Sequence, residues 1–98
     1  MVIRVKRLVG ACDTNSQGDV VRAAVVSALA VDSVVVLSFS GLSNATSSFV
    51  NSAFVDLLET MPFDEIKRRV RVIDASRQII DMIKLRMTSE ARRVAAAA

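Results

Sequence analysis

Residues 35–50 read VVLSFSGLSNATSSFV, and this stretch decides the fold of the chain. The apolar run over residues 34–39 is short and nearly continuous, which is typical of a strand covered on both faces in a parallel sheet. A polar loop follows over residues 40–45. Beyond the loop, apolar side chains recur at helical spacing from Val50 to Met61, and Pro62 ends the pattern. A strand, a loop and an amphipathic helix are therefore predicted in direct succession.

Upstream of this stretch, the pattern predicts one strand and one helix. Aliphatic and β-branched residues are mixed with basic ones over residues 2–12, which favours a strand, and Gly10 indicates a bulge or close backbone approach within it. Residues 13–16 form a polar turn, in which Ser16 is the expected helix cap. Apolar positions at helical spacing then predict a helix over residues 17–30.

Downstream, valine and isoleucine interleaved with arginine predict a third strand over residues 70–73. Asp74 or Ser76 is the expected cap of a last helix that carries Ile79 and Met87. The alanine-rich residues 91–98 are expected either to extend this helix or to form a disordered tail.

The predicted order is β-α-β-α-β-α, so the expected fold class is α/β, with a small, mostly parallel β-sheet and packed helices. No linker divides the chain, and we expect one domain over residues 1–90. In such sheets, binding sites lie at the carboxyl ends of the strands, in the strand-to-helix loops. Two loops qualify, over residues 13–16 and 40–48.

Composition limits the chemistry that this chain can perform. With 98 residues, a net charge of +3, no histidine and one cysteine, it has no histidine base, no intramolecular disulfide and no cysteine-cluster zinc site. Its three glycines are scattered, and no phosphate-binding loop or catalytic carboxylate pair stands out. We therefore expect no enzyme, no metal and no cofactor. The lone Cys12 and the lack of a signal peptide or membrane span predict a cytoplasmic location.

Residues 35–50 also carry a family resemblance: without a gap, they resemble the signature of the STAS domains of bacterial anti-anti-sigma factors. In that family a buried strand ends in an Asp-aliphatic-Ser-Gly-aliphatic run, and an Asp-Ser-Ser-Gly motif opens the next helix. Residues 10–13 resemble the family's Gly-x-aliphatic-Asp, and the similarity in pattern and order covers roughly residues 5–87. The chain departs from the pattern at Ser38, Thr46 and Phe49, which replace the strand-end Asp, the motif Asp and the motif Gly.

The resemblance implies a signal-transduction switch domain that binds a protein such as a serine-kinase anti-sigma regulator. Family members are controlled by phosphorylation of the first motif serine, which corresponds here to Ser47, with Ser48 beside it as a second candidate phosphoacceptor. A phosphate at either position would add a charge of about −1.5 to −2 to the contact surface. The partner-binding residues expected in addition lie in the two loops and at the helix start: Asp13, Ser40, Gly41, Ser43, Asn44, Thr46 and Phe49.

Simpler functions stay open beside this one. Residues 46–48 also fit an ordinary helix cap. The same fold without a covalent switch would serve as a constitutive assembly or oligomerisation subunit, and the valine- and alanine-rich composition suits self-association. The basic residues over 67–71 and 84–93 raise a third function, nucleic-acid binding, although the few aromatic residues speak against base stacking and solvated faces are the simpler interpretation.

Overall fold

The computed structural model describes residues 1–97, with side chains described through residue 94. Within these residues, three short strands form one parallel sheet in the order β1 (Val2–Arg4), β2 (Val35–Ser38) and β3 (Val70–Ile73). Leu37 of β2 pairs with Ile3 on one side and with Val72 on the other. The expected α/β class with a parallel sheet is confirmed.

Five α-helices and one short 3-10 helix pack with this sheet in the described part of the chain. They are α1 (Val5–Val9), α2 (Asn15–Leu29), α3 (Ser47–Ala53), the 3-10 helix Val55–Glu59, α4 (Phe63–Arg69) and α5 (Arg77–Ala97). Helix α5 runs through residues 91–97, and residue 98 lies outside the described residues. The domain boundary at residue 90 stays a prediction.

The central strand β2 is the buried element that its apolar run predicts. Val35 and Leu37 are fully buried, and Phe39 just beyond the strand is buried as well. The ring of Phe39 stacks on that of Phe54, with 6.4 Å between the centroids. Because β2 has a neighbouring strand on each side, its main-chain groups are paired along both edges. The loop that follows β2 is therefore held firmly at its first residue.

The strand predicted over residues 2–12 is wrong beyond residue 4. The chain turns directly from β1 into α1, and this helix ends at Gly10, whose φ of +73° is the left-handed conformation of a helix C-cap. Val5 and Val9 lie four residues apart and therefore share the inner face of one helical turn, with Lys6 and Arg7 pointing outward. Gly10 is thus a helix terminator and not a strand bulge.

Two further corrections concern the helix starts. Thr14, and not Ser16, caps α2, in a capping box in which Gln17 bonds back to the Thr14 N–H. The single helix expected up to Pro62 is instead α3 followed by the 3-10 helix. Pro62 then opens α4, which the sequence pattern did not predict; its carbonyl accepts from the N–H groups of Glu65 and Ile66.

Candidate functional site

The two loops expected to carry the site lie side by side, and Thr46 joins them. The Thr46 N–H donates to the Cys12 carbonyl over 3.0 Å, and the Thr46 hydroxyl donates to the Asp13 carbonyl over 2.8 Å. Asp13 follows α1, whereas Thr46 precedes α3, so these bonds bring distant parts of the chain together. Asp13 and Ser47 consequently lie at the same rim of the domain.

Thr46 is also the helix cap of α3. Its hydroxyl oxygen accepts from the Phe49 N–H over 3.2 Å, which satisfies one of the free donors of the first helical turn. Of the three residues that fit a cap in the sequence, Thr46 therefore takes this role. Ser47 and Ser48 follow in the first turn with exposed side chains, and neither hydroxyl bonds to another group in the described part of the chain.

Phe49 does not belong to the exposed surface. Its side chain is fully buried in the core, next in sequence to the buried Val50. The expected role of Phe49 as a partner contact is replaced by a packing role: the aromatic ring anchors the first turn of α3 from inside. The family's glycine position is thus used here for core volume.

The loop after β2 presents polar residues to solvent. Ser40, Gly41, Ser43 and Asn44 are all exposed. Gly41 has a φ of +85°, a left-handed conformation that favours glycine. Gly41 lies in a tight turn, which the Leu42 N–H closes by donating to the Phe39 carbonyl over 3.0 Å.

Gln78 of α5 holds the end of this loop, a contact that the sequence pattern did not indicate. Its side-chain carbonyl accepts from the Ala45 N–H over 2.8 Å, and its NH₂ group donates to the Ala45 carbonyl over 2.9 Å. One amide side chain therefore satisfies both main-chain groups of the buried Ala45, as a neighbouring strand would. Nearby, the Ser76 hydroxyl donates to the Ser43 carbonyl over 2.7 Å. The start of α5 thus fixes the loop that leads to Ser47.

A carboxylate lies at the carboxyl end of the sheet, although β2 itself ends in a serine. The Ser38 hydroxyl donates to Oδ2 of Asp74 over 3.0 Å, and Asp74 directly follows β3. Asp74 has a φ of +56°, a conformation that aspartate tolerates better than most residues. An acidic group from β3 therefore stands beside Ser38, the residue that replaces the family's strand-end aspartate.

Asn15 ties the start of α2 to α3. Its side-chain NH₂ group donates to the Ser48 carbonyl over 3.0 Å and to the Ser52 hydroxyl over 2.8 Å. Since these bonds use the main chain of Ser48 and not its hydroxyl, they position the first turn of α3 and leave both candidate serines accessible. Asn15 is therefore a positioning residue of the surface around Ser47.

Cys12, beside Asp13, is an inert buried thiol. It is 1 % exposed, and burial, with a smaller contribution from the negative charge of Asp13, raises the pKa of the thiol from its ordinary value of 9.0 to about 11. The protonated thiol is a poor nucleophile, so the site offers no reactive cysteine.

This pKa predicts a loss of stability at alkaline pH. In the unfolded chain the thiol ionises near its ordinary value, whereas the folded protein keeps the proton until about pH 11. Unfolding therefore releases a proton between about pH 9 and pH 11. The contribution of the protonated thiol to the free energy of unfolding is full below pH 9 and declines as the pH rises toward 11. We expect urea titrations to show a steeper decline between these values for the wild type than for Cys12→Ala. Parallel curves for the two proteins, or rapid alkylation of folded Cys12 at pH 8, would contradict the prediction.

Three of the six arginines in the two basic groups that bear on nucleic-acid binding, Arg69, Arg86 and Arg93, bond to other groups of the chain. Arg69 bonds to Glu65 and to main-chain carbonyls at the end of α2. Arg86 donates to the Asn51 side chain over 2.9 Å, and Arg93 pairs with Glu90. These bonds explain the positions of three basic residues as intramolecular contacts.

The described part of the chain holds neither a membrane-spanning helix nor a cluster of metal ligands. Over residues 1–97, every helix is too short or too polar to cross a bilayer. In the same range, no three potential metal ligands of the histidine, cysteine, aspartate and glutamate types lie close enough together to hold an ion.

The sequence that forms this site matches a known protein family. The model of the family described as "STAS-like domain of unknown function (DUF4325)" matches residues 17–79. The chain belongs to this family. The match runs from α2 to the start of α5 and includes β2, the polar loop, Ser47 and Gln78. The expected STAS-like character is therefore confirmed. No curated protein and no solved structure matches this STAS-like domain.

Proposed function

We propose that this STAS-like domain is a cytoplasmic, non-enzymatic regulatory module that binds a signalling protein of the serine-kinase anti-sigma type. The proposed contact surface, called the Ser47 surface below, consists of Asp13, Ser40, Gly41, Ser43, Asn44 and residues 46–48. The observation that carries the proposal is the exposed Ser47 hydroxyl at the same rim as Asp13, on loops joined by Thr46. This is the rim at which parallel α/β sheets bind their partners.

Ser47 is the phosphoacceptor in this proposal. Its hydroxyl is exposed, and the main chain around it is held by Thr46 on one side and by Asn15 on the other. Because these bonds do not involve the Ser47 hydroxyl, a phosphate attached there would leave them intact. The added charge of about −1.5 to −2 next to Asp13 would repel an acidic or apolar partner surface. Binding would thus be switched off without unfolding of the domain.

The test combines partner capture with intact-mass measurement. The tagged domain retrieves its partner from a lysate of the native host, and the purified partner is then incubated with the domain and ATP. We expect a mass gain of one phosphate on the wild type, no gain on Ser47→Ala, and loss of partner binding by the phosphorylated form. The control is Ser27→Ala, which removes an exposed serine of α2 outside the Ser47 surface.

The outcomes separate the two parts of the proposal. An unchanged mass for the wild type removes the phosphorylation and leaves binding to be judged by the capture. Charge-reversing Asp13→Lys should weaken capture at least tenfold if Asp13 contacts the partner, while Ser27→Ala binds normally. Unchanged capture with Asp13→Lys would count against the Ser47 surface as the contact.

A second candidate function is constitutive assembly without a covalent switch, and exposed aliphatic residues favour it. Val20 and Val26 of α2 and Val31 after it are 47 %, 45 % and 77 % exposed. Light scattering coupled to size exclusion distinguishes the two functions. A stable oligomer whose mass does not change with concentration supports assembly, whereas a monomer supports the regulatory module.

A further inference from the structure

An apolar groove of about 340 Å³ lies between α4, β3 and α5, built from residues other than those of the Ser47 surface. Its floor belongs to the core, since the apolar side chains there are at most 9 % exposed: Phe54, Ile66, Val70 and Met87. Half-buried Phe63, Val72 and Ile83 line it further, and Lys67, Lys84 and Thr88 complete the lining. The groove therefore combines a buried apolar floor with two cationic side chains.

The charge of this groove has one sign. Two lysines line it, and no carboxylate of residues 1–94 does. Both lysine side chains are exposed, and neither forms an ion pair with an acidic residue in the described part of the chain. The ammonium group of Lys67 lies 5.1 Å from the centroid of the Phe63 ring, so this charge stands directly beside the apolar lining. An apolar groove with cations and no anions is complementary to an amphiphile with a negative headgroup.

The volume of the groove is that of a small-molecule site. Pockets for small ligands have volumes of about 300–1,000 Å³, and this groove lies at the lower end of that range. Free phosphate would leave the apolar floor uncovered.

We propose that this groove binds a medium-chain aliphatic carboxylate. The alkyl chain covers Phe54, Val70 and Met87, and the carboxylate lies near the ammonium groups of Lys67 and Lys84. Thr88 is four residues after Lys84 and thus on the same face of α5, where its hydroxyl is a hydrogen-bond donor for the headgroup. The domain would then respond to a fatty-acid-like metabolite at a site separate from the Ser47 surface.

An NMR titration of the ¹⁵N-labelled full chain with sodium decanoate tests this site. We expect saturable shifts at Val72, Ile83 and Thr88 and none at Asp13 or Ser47. Each buried methylene raises affinity about fourfold, so decanoate, with two more methylenes, should bind about fifteenfold more tightly than octanoate. Decylammonium, with the same chain and the opposite charge, should bind at least tenfold more weakly than decanoate. Equal binding of decanoate, decanol and decylammonium would mark a general apolar face and overturn the proposal.

Variants that change the charge in and around the groove measure the contribution of the carboxylate headgroup to binding. Lys67→Gln with Lys84→Gln should weaken decanoate binding about threefold to tenfold and leave decanol binding unchanged. The matched control is Arg68→Gln with Arg92→Gln, which removes the same charge from exposed residues that do not line the groove. Ile83→Glu, which places a carboxylate in the groove, should abolish the decanoate shifts. Absence of saturable decanoate binding by the wild type, or equal weakening in both double variants, would overturn the proposal.

Discussion

Replacing Gly18 by alanine is expected to lower the free energy of unfolding by about 2–3 kcal/mol, although alanine is the better helix former. Gly18 is buried where α2 crosses α3. A Cβ at this position would lie 2.5 Å from the Phe49 carbonyl oxygen, 2.7 Å from Cβ of Ser52 and 3.0 Å from the Ala53 nitrogen. Two of these atoms are main chain and cannot rotate away, so the two helices would have to separate. Urea unfolding followed by circular dichroism measures the change.

The control for this prediction is Ala23→Gly on the exposed side of the same helix. It exchanges the same two residue types in the opposite direction and should cost about 1 kcal/mol from helix propensity alone. If only propensity mattered, Gly18→Ala would stabilise the protein by a similar amount. A stabilised Gly18→Ala would therefore show that α2 and α3 do not pack at this distance. The same variant should also disturb the Ser47 surface, because Phe49 lies in the first turn of α3.

The elements that the sequence predicts well are those whose burial is uniform along the chain. The apolar run over residues 34–39 predicts β2 because a strand with neighbours on both sides needs apolar residues on both faces. At residues 2–12 the same reasoning fails: Val5 and Val9 fit a mixed strand pattern and also one face of a short helix, and periodicity cannot separate the two over so few residues.

Helix α4 is hard to predict from the sequence for a different reason. Its acidic Asp64 and Glu65 lie in the first turn and the basic residues 67–69 in the last, the order that the helix dipole favours. This charge order was the available signal. Pro62, interpreted as the end of one helix, is also well suited to open another, since its fixed φ suits a helix start.

Only those features of the candidate site that depend on neighbouring residues in the sequence can be predicted. Thr46, Ser47 and Ser48 can be placed at a helix start from the sequence, because capping depends on residues within one turn. The contacts that hold the surface join residues more than thirty positions apart, such as Gln78 with Ala45 and Ser38 with Asp74. No spacing rule connects such residues in a single sequence. The burial of Phe49 likewise follows from the packing of α3 on α2, which its local neighbours do not specify.

Replacing Arg69 by methionine is expected to cost about 2–3 kcal/mol of unfolding free energy, far more than a surface arginine. The guanidinium group of Arg69 lies over the end of α2, where main-chain carbonyls lack helical partners. It donates to the Leu29 and Ser33 carbonyls over 3.0 Å each and, from a third nitrogen, to Glu65 over 3.1 Å. Methionine preserves the apolar stem and removes every one of these donors. Chemical denaturation of wild type and variant measures the difference.

Two further variants, Arg69→Lys and Arg68→Met, show whether Arg69 stabilises the protein through its charge or through the shape of its guanidinium group. Arg69→Lys should recover less than half of the loss, because a single ammonium group cannot reach carbonyls on both sides of the α2 terminus and Glu65 together, as the planar fork does. Arg68→Met, on the exposed side of the same helix, should change stability by less than about 0.5 kcal/mol. If Arg69→Lys equals the wild type, charge alone is sufficient and the fork is not needed. If Arg69→Met and Arg68→Met behave alike, the bonds to the α2 terminus contribute nothing, and the basic run over residues 67–71 returns to being a solvated face available to a partner.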